Sequence, residues 1–304
     1  MLRDSKGSAY AGLIFVIFIW GVAPLITLYF YDYFSPTIRL AMGAAVSGIA
    51  MLLISAKHLK LLNKTYFKIA VPTGACVGIA NILQKIGLQY TTPTHYAFLE
   101  NLSVVVVPII LFLLIRKRPS PLTLCSVGLC LLSSLVLTNM LSGSGQMYPV
   151  GDLLCALAGI IYGVNIAVTG TYAKKFFVPL YLTIQILTEA VLGFGSAILL
   201  HATGIEPILF TPSARLLFLN VLFVLTSSTL GWLIRTNSMK KVDPTVVAVM
   251  MPFSSAVTTF ASILWGKDTL SLPLVIGTVL GLVAIILSGL GDRAPAKDDP
   301  IEEK

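Results

Sequence analysis

Charge is what this sequence has least of. Lys+Arg number 21 and Asp+Glu 13 in 304 residues, 11% of the chain, against about 25% in a soluble domain. A soluble fold of this size must cover its surface with polar side chains, so a soluble enzyme and a disordered chain are both excluded. Cysteine is scarce too. Cys76, Cys125, Cys130 and Cys155 all sit in apolar stretches and form no C-x-x-C pair, which excludes a secreted disulfide scaffold and leaves them as small packing residues. The three histidines complete no metal-ligand spacing. No G-x-x-x-x-G-K-[ST] is present and no soluble domain fits. No cofactor and no metal are expected, and any driving force must come from a gradient or a proton.

What is abundant is apolar. Hydrophobic types make up 56% of the residues and the mean hydropathy is +0.90. A span takes about 20 residues, so ten spans with short loops use nearly the whole chain. Apolar runs between polar breaks place them at 9–30, 36–56, 67–89, 94–115, 121–139, 150–171, 179–201, 214–236, 244–265 and 271–290. The run after Met1–Ser8 is too long for a signal-peptide core and reads as the first span. The expected fold is an all-α polytopic membrane protein.

The loops orient it. With a cytoplasmic N-terminus, 16 of the 21 basic residues fall inside, among them Lys57, Lys60, Lys64, Lys174, Lys175, Lys240 and Lys241. Two, Arg215 and Lys267, fall outside, and three, Arg39, Lys85 and Arg235, lie within spans. Such a bias places both termini in the cytoplasm of a cell-membrane protein. It also assigns the net charge of +8 to topology and anionic lipid, with no nucleic-acid partner.

The chain repeats itself. Ile19-Trp20-Gly21-Val22 matches Ile161-Tyr162-Gly163-Val164, 142 positions on (162 − 20). Pro36 opens span 2 as Pro179 opens span 7, 143 on (179 − 36). Pro93-Thr94, Ala97 and Ser103 match Pro244-Thr245, Ala248 and Ser254, 151 on (254 − 103). Two five-span copies follow, 9–139 and 150–290, with 291–304 a cytoplasmic tail. Five is odd, so the second copy is inverted, a recurrent plan of secondary transporters with a midplane site.

This pattern resembles the drug/metabolite transporter superfamily, in its EamA-type branch. The residues that carry the resemblance are the aromatic-Gly step with Pro24 in span 1 and the junctions Tyr90-Thr91-Thr92-Pro93 and Lys241-Val242-Asp243-Pro244. It covers roughly residues 9–290. The resemblance implies a carrier with a central cavity lined by both repeats. It leaves the substrate open. Related four-helix multidrug exporters carry an essential acid in their first helix, and span 1 has none here. That weighs against simple proton/drug antiport.

Charged groups near a bilayer centre cost about 2.5–3.5 kcal/mol each on insertion scales, so those present need a reason. Lys85 near the end of span 3 and Glu100 early in span 4 lie at similar depth on adjacent antiparallel helices. They are expected to form an ion pair or a shared site near the outer side of the cavity, the alternative being a fixed pair or Lys85 snorkelling to the interface. Asn81 and Gln84 share a face of span 3. Tyr96 and Glu100 are i and i+4 in span 4, with Asn101 adjacent and His95 nearer the mouth. Amides, an aromatic and an acid from two helices suit a polar organic solute; helix–helix bonding is the alternative. In the second repeat, Trp232 and Arg235 stand 151 after Asn81 and Gln84 (232 − 81). Arg235 either binds an anionic group or snorkels to the cytoplasmic surface, the second being preferred, and Arg39 is read as snorkelling. Asn165 and the Gln185/Glu189 pair are further buried polar candidates. Trp20 and Tyr162 either stack on a flat ligand or pack. Pro24, Pro108 and Pro252 invite kinks. Gly74-x-x-x-Gly78 and Gly277-x-x-x-Gly281 permit close packing within a monomer, a dimer seam being the minor alternative.

The reading is a carrier that moves a small polar or amphipathic metabolite, amino acids or related compounds first, with export preferred and a proton as the candidate coupling ion. The first rival exchanges phosphorylated sugars or nucleotide sugars, which would want several convergent cations. The second is a membrane-embedded lipid or isoprenoid transferase. That chemistry wants paired Asp motifs, and Asp298-Asp299 in the tail is the one such pair.

Overall fold

The computed structural model describes residues 6–91, 96, 99–116, 119–137, 149–265 and 272–291. Its helices follow the ten apolar runs. Span 1 is Lys6–Tyr31, span 2 Pro36–Ser55, span 3 Lys64–Gly87, span 4 Ser103–Ile115 and span 5 Pro121–Leu137. Span 6 is Pro149–Tyr172, span 7 Val178–Ala202 and span 10 Leu272–Gly291. Span 8 runs as Ala214–Val224, a π-helical Leu225–Leu230 and Gly231–Ser238, and span 9 as Pro244–Met250 and Phe253–Leu264.

The starts are written locally. The Asn63 side chain accepts from the Thr65 and Tyr66 amides at 2.9 and 3.2 Å, and Asp243 accepts from the Thr245 amide at 2.8 Å, each satisfying amides that a first turn leaves free. Prolines stand at or beside the first position of spans 2, 7 and 9, where no hydrogen bond is lost. Glu206, from the segment before span 8, accepts from the Thr37 amide and hydroxyl at the start of span 2. Ser35 holds the same segment through the Pro207 carbonyl and Leu209 amide, both at 2.7 Å.

Six helices are long and apolar enough to cross a membrane, those of spans 1–3 and 6–8. The shorter apolar helices are those of spans 4, 5, 9 and 10. That division follows the repeat. So does the packing. Spans 2 and 7 pack together, as do spans 5 and 10, each the other's counterpart. Span 3 packs on span 6 and span 8 on span 1; span 4 packs on span 6 and span 9 on span 1. Each of these contacts has its image in the other half.

The correspondence reaches single residues. A Cβ added at Gly21 would stand 2.9 Å from the Ser254 carbonyl oxygen, and one at Gly163 would stand 3.1 Å from that of Ser103. These are the same contacts on the two sides of an inverted repeat. Glycine is required at both, because only a bare backbone lets the paired helices approach this closely. Gly74 and Gly78 pack against span 7, and Gly277 accepts from the Ser133 hydroxyl at 2.6 Å while Gly281 also meets Ser133. Both G-x-x-x-G stripes are therefore packed inside one chain.

Lys57, Lys60, Lys64, Lys174, Lys175, Lys240 and Lys241 all fall at helix ends on one side of the bundle, which we call the basic face. The interior splits along the same axis. Towards the basic face, Leu13, Ile17, Val107, Leu111, Ile166, Val246, Val247 and Met250 form a close-packed apolar cluster drawn from spans 1, 4, 6 and 9. Exposed leucines, isoleucines and phenylalanines such as Leu53, Ile198 and Phe218 ring the outside, as a bilayer-embedded surface requires.

Candidate functional site

Beyond the apolar cluster, towards the far face, lies a cavity of about 190 Å³. Both repeats line it. Trp20, Asn81, Gln84, Lys85, Tyr96, Glu100, Asn101, Tyr162, Glu189, Trp232 and Arg235 stand in its wall; Asn165 does not. Asn165 is fully buried and donates to the Thr73 carbonyl at 3.1 Å, between spans 6 and 3. Gln185 is also off the cavity, buried with neither amide atom partnered among the described residues. His95 lies outside the described residues.

One wall is a hydrogen-bonded chain across four spans. Glu189 accepts from the Asn81 amide nitrogen at 2.7 Å, and Glu100 accepts from the Gln84 amide nitrogen at 2.9 Å. With both nitrogens committed, both amide oxygens turn to Tyr162, whose hydroxyl donates at 2.6 Å to Asn81 and 3.2 Å to Gln84. One proton serves two acceptors. The run Glu189–Asn81–Tyr162–Gln84–Glu100 thus joins two carboxyl groups through neutral partners.

The expected Lys85–Glu100 ion pair is not formed. The Lys85 ammonium donates to the Tyr96 hydroxyl at 3.1 Å and lies 5.5 Å from that ring's centroid. Glu100 is taken up by Gln84 instead. The two charges share the cavity wall without touching, because span 4 turns Tyr96 towards Lys85 and Glu100 one turn deeper.

The opposite wall is aromatic and cationic. The Trp20 and Trp232 rings stand 5.6 Å apart, tilted by 58°. The Arg235 guanidinium lies 4.7 Å from the Trp232 centroid and 5.6 Å from that of Trp20. The Trp20 indole N–H donates to the Ser227 carbonyl at 2.8 Å, which fixes its ring. That carbonyl belongs to the π-helical Leu225–Leu230 segment. A π turn inserts one extra residue and re-aims the side chains after it, here Trp232 and Arg235.

Two arginines read as snorkelling are buried. Arg235 is 3% exposed and Arg39 is 7% exposed. The span 8 register turns Arg235 inward, between the tryptophans. Arg39 lies over Phe30 at 4.9 Å and Phe223 at 5.4 Å and donates to the Thr27 hydroxyl at 3.3 Å. Its sequence signal is the stripe Arg39, Gly43, Ser47, Met51 and Ser55, spaced by four along one buried face of span 2. The wall also carries Thr27, Ser227, Ser228, Ser254 and Thr258, short hydroxyls with no sequence pattern of their own.

Spans 4 and 9 are broken at equivalent points. The helix of span 4 restarts at Ser103 after a turn at Asn101–Leu102, and that of span 9 restarts at Phe253 after Met251–Pro252. At both, i+3 bonds replace i+4 bonds: Val104 N to Asn101 O at 3.0 Å, and Ser255 N to Pro252 O at 2.9 Å. The kink expected at Pro252 is therefore present. Pro108 instead lies inside the continuous Ser103–Ile115 helix, and its span bends seven residues earlier. Asn101 ties the break to span 5 through the Ser134 hydroxyl at 2.7 Å and to span 9 through Ser255 at 3.4 Å.

The model of the EamA-like transporter family matches residues 7–139 and again residues 149–290. The chain belongs to that family, and is a multi-pass membrane protein of a class of small-solute transporters. One solved structure, titled "Crystal structure of protein", superposes with a TM-score of 0.75 over 95% of this chain and 99% of that one, at 16% identity. Likeness at that identity speaks for the fold alone. No curated protein matches the sequence.

Proposed function

We propose that this protein is a secondary carrier, not an enzyme, that moves a small polar or amphipathic metabolite across the cell membrane by alternating access. The basic face is cytoplasmic, with both termini on that side, and export is the preferred direction. The observation that carries the reading is the cavity itself. It draws charged groups of both signs from both repeats, and an apolar cluster closes it towards the basic face. Rocking one half against the other would open that cluster and close the far side. Amino acids and related compounds remain the leading substrates, Glu100 and Glu189 are the candidate proton carriers, and a monomer suffices because the cavity needs no second chain.

A second reading gains from one observation. Arg39 joins Lys85 and Arg235 in the cavity wall, so three cations converge where an exchanger of phosphorylated sugars would want them. The deciding experiment reconstitutes the purified protein in liposomes and measures, by mass spectrometry, which members of a metabolite mixture accumulate. Accumulation above protein-free vesicles supports the carrier. If no solute of any class moves faster than in protein-free vesicles, the reading falls.

A further inference from the structure

The cavity's charges do not balance. Arg39, Lys85 and Arg235 face Glu100 and Glu189, leaving one formal positive charge in excess. The excess sits away from the acids. Both carboxyl groups are hydrogen-bonded to amides on the wall of spans 3, 4 and 7. Among the described residues neither arginine has a carboxylate within ion-pair distance, and the Nε of each has no hydrogen-bond partner. The Arg235 side chain makes no hydrogen bond among the described residues. An uncompensated buried guanidinium is costly, and stacking on rings returns only part of that cost. Its planar fork is built for a trigonal or tetrahedral oxyanion. Two indoles flank it, one of them held by a backbone carbonyl.

Resting on the carrier reading, we propose that the solute presents an anionic head group to Arg235 and a flat body to Trp20 and Trp232, and carries a net negative charge that completes the cavity. Arg39 is the second cation, contributing to the field without holding the head group. The acid wall then receives the solute's neutral hydrogen-bonding groups.

The chain has three tryptophans, and the third, Trp265, is 61% exposed at the end of span 9. Trp265→Phe protein therefore reports the cavity through its intrinsic fluorescence. Three probes of closely matched shape and fixed charge at neutral pH test the head group: benzenesulfonate, the neutral benzenesulfonamide and the cation phenyltrimethylammonium. Benzenesulfonate is expected to quench saturably and to bind at least tenfold more tightly than benzenesulfonamide. Arg235→Gln should erase that preference, Arg235→Lys should keep part of it, and Arg39→Gln should weaken it several-fold. The comparison among probes needs no variant at the site, so a misfolded mutant would not protect the idea. Equal binding of anion and amide, tighter binding of the cation, or no saturable response to any probe would overturn the proposal. If the metabolite mixture still crosses vesicles in those cases, the carrier reading survives; if nothing crosses, both fail.

Discussion

Tyr162 is where the site can be tested most sharply. Among the described residues its hydroxyl is the sole bridge between two amides whose nitrogens are already spent on Glu189 and Glu100. Tyr162→Phe removes one proton donor and strands at least one amide oxygen. An unsatisfied buried acceptor costs about 1–3 kcal/mol. Interhelical hydrogen bonds in membrane proteins are worth less, averaging about 0.6 and reaching about 1.7 kcal/mol in double-mutant cycles. The expected loss is then about 1–2 kcal/mol. Distance apportions it: Asn81 at 2.6 Å holds the proton most of the time, and Gln84 at 3.2 Å the rest. A double-mutant cycle of Tyr162→Phe with Asn81→Val should give a coupling of about 0.6–1.7 kcal/mol, and the cycle with Gln84→Leu a smaller one. Equilibrium unfolding in mixed micelles with increasing dodecyl sulfate reads both. Additivity with Asn81, or a larger coupling to Gln84 than to Asn81, would refute the bridging geometry.

Other consequences are simpler to check. Gly74→Ala would drive a Cβ to 2.5 Å from the Gln185 carbonyl oxygen and should cost about 1–3 kcal/mol by overpacking. Gly195→Ala, with nothing within 4 Å, should instead gain about 0.5–1 kcal/mol from helix propensity, and the thermal midpoints of the two variants should lie on opposite sides of the parent's. Glu100→Gln should lower vesicle transport at least tenfold while the protein stays monodisperse on size exclusion; unchanged transport would remove Glu100 from the site. In a chain with its four cysteines replaced, an impermeant maleimide applied to intact cells should label Thr211→Cys and spare Lys60→Cys, and the reverse pattern would invert the assigned orientation.

The ten spans and the repeat were legible because they are written in quantities a sequence carries without folding: long apolar runs, loop charge, and prolines at matched offsets. Trp20, Tyr162, Asn81, Gln84, Trp232 and Arg235 could be named in advance for the same reason, since each has a repeat counterpart. What stayed hidden depends on rotation about a helix axis. Arg39 and Lys85 both look interfacial by depth alone, yet one lies over two phenylalanines and the other reaches a tyrosine. The π turn at Leu225–Leu230 has no residue code, and it decides where Arg235 points. The bend of span 4 fell at Asn101–Leu102 and not at Pro108 because what holds it is a side-chain tie from Asn101 to Ser134 and Ser255, visible only once spans 5 and 9 are in place.

The two halves use one scaffold for two chemistries. Tyr162, Asn81 and Gln84 form a hydrogen-bonded trio; their repeat counterparts Trp20, Trp232 and Arg235 form an aromatic and cationic one. The glycine contacts at Gly21 and Gly163 and the breaks in spans 4 and 9 are, by contrast, alike in both halves. The π turn of span 8, which the continuous helix of span 3 lacks, sets the halves apart; these other backbone features are shared and the side-chain features are not. An inverted repeat exchanges the conformations of its halves when the protein changes the side it faces, so the backbone has to be symmetric for both end states to be comparably stable. A small solute that binds one way round needs the opposite: unlike walls. On the proposed carrier reading, the broken helices and bare glycine contacts would supply the motion, while the polar trio facing the tryptophan–arginine trio would fix which end of the solute meets which half. A variant that made the trios alike, such as Trp232→Asn with Arg235→Gln, should leave the bundle folded and abolish that preference.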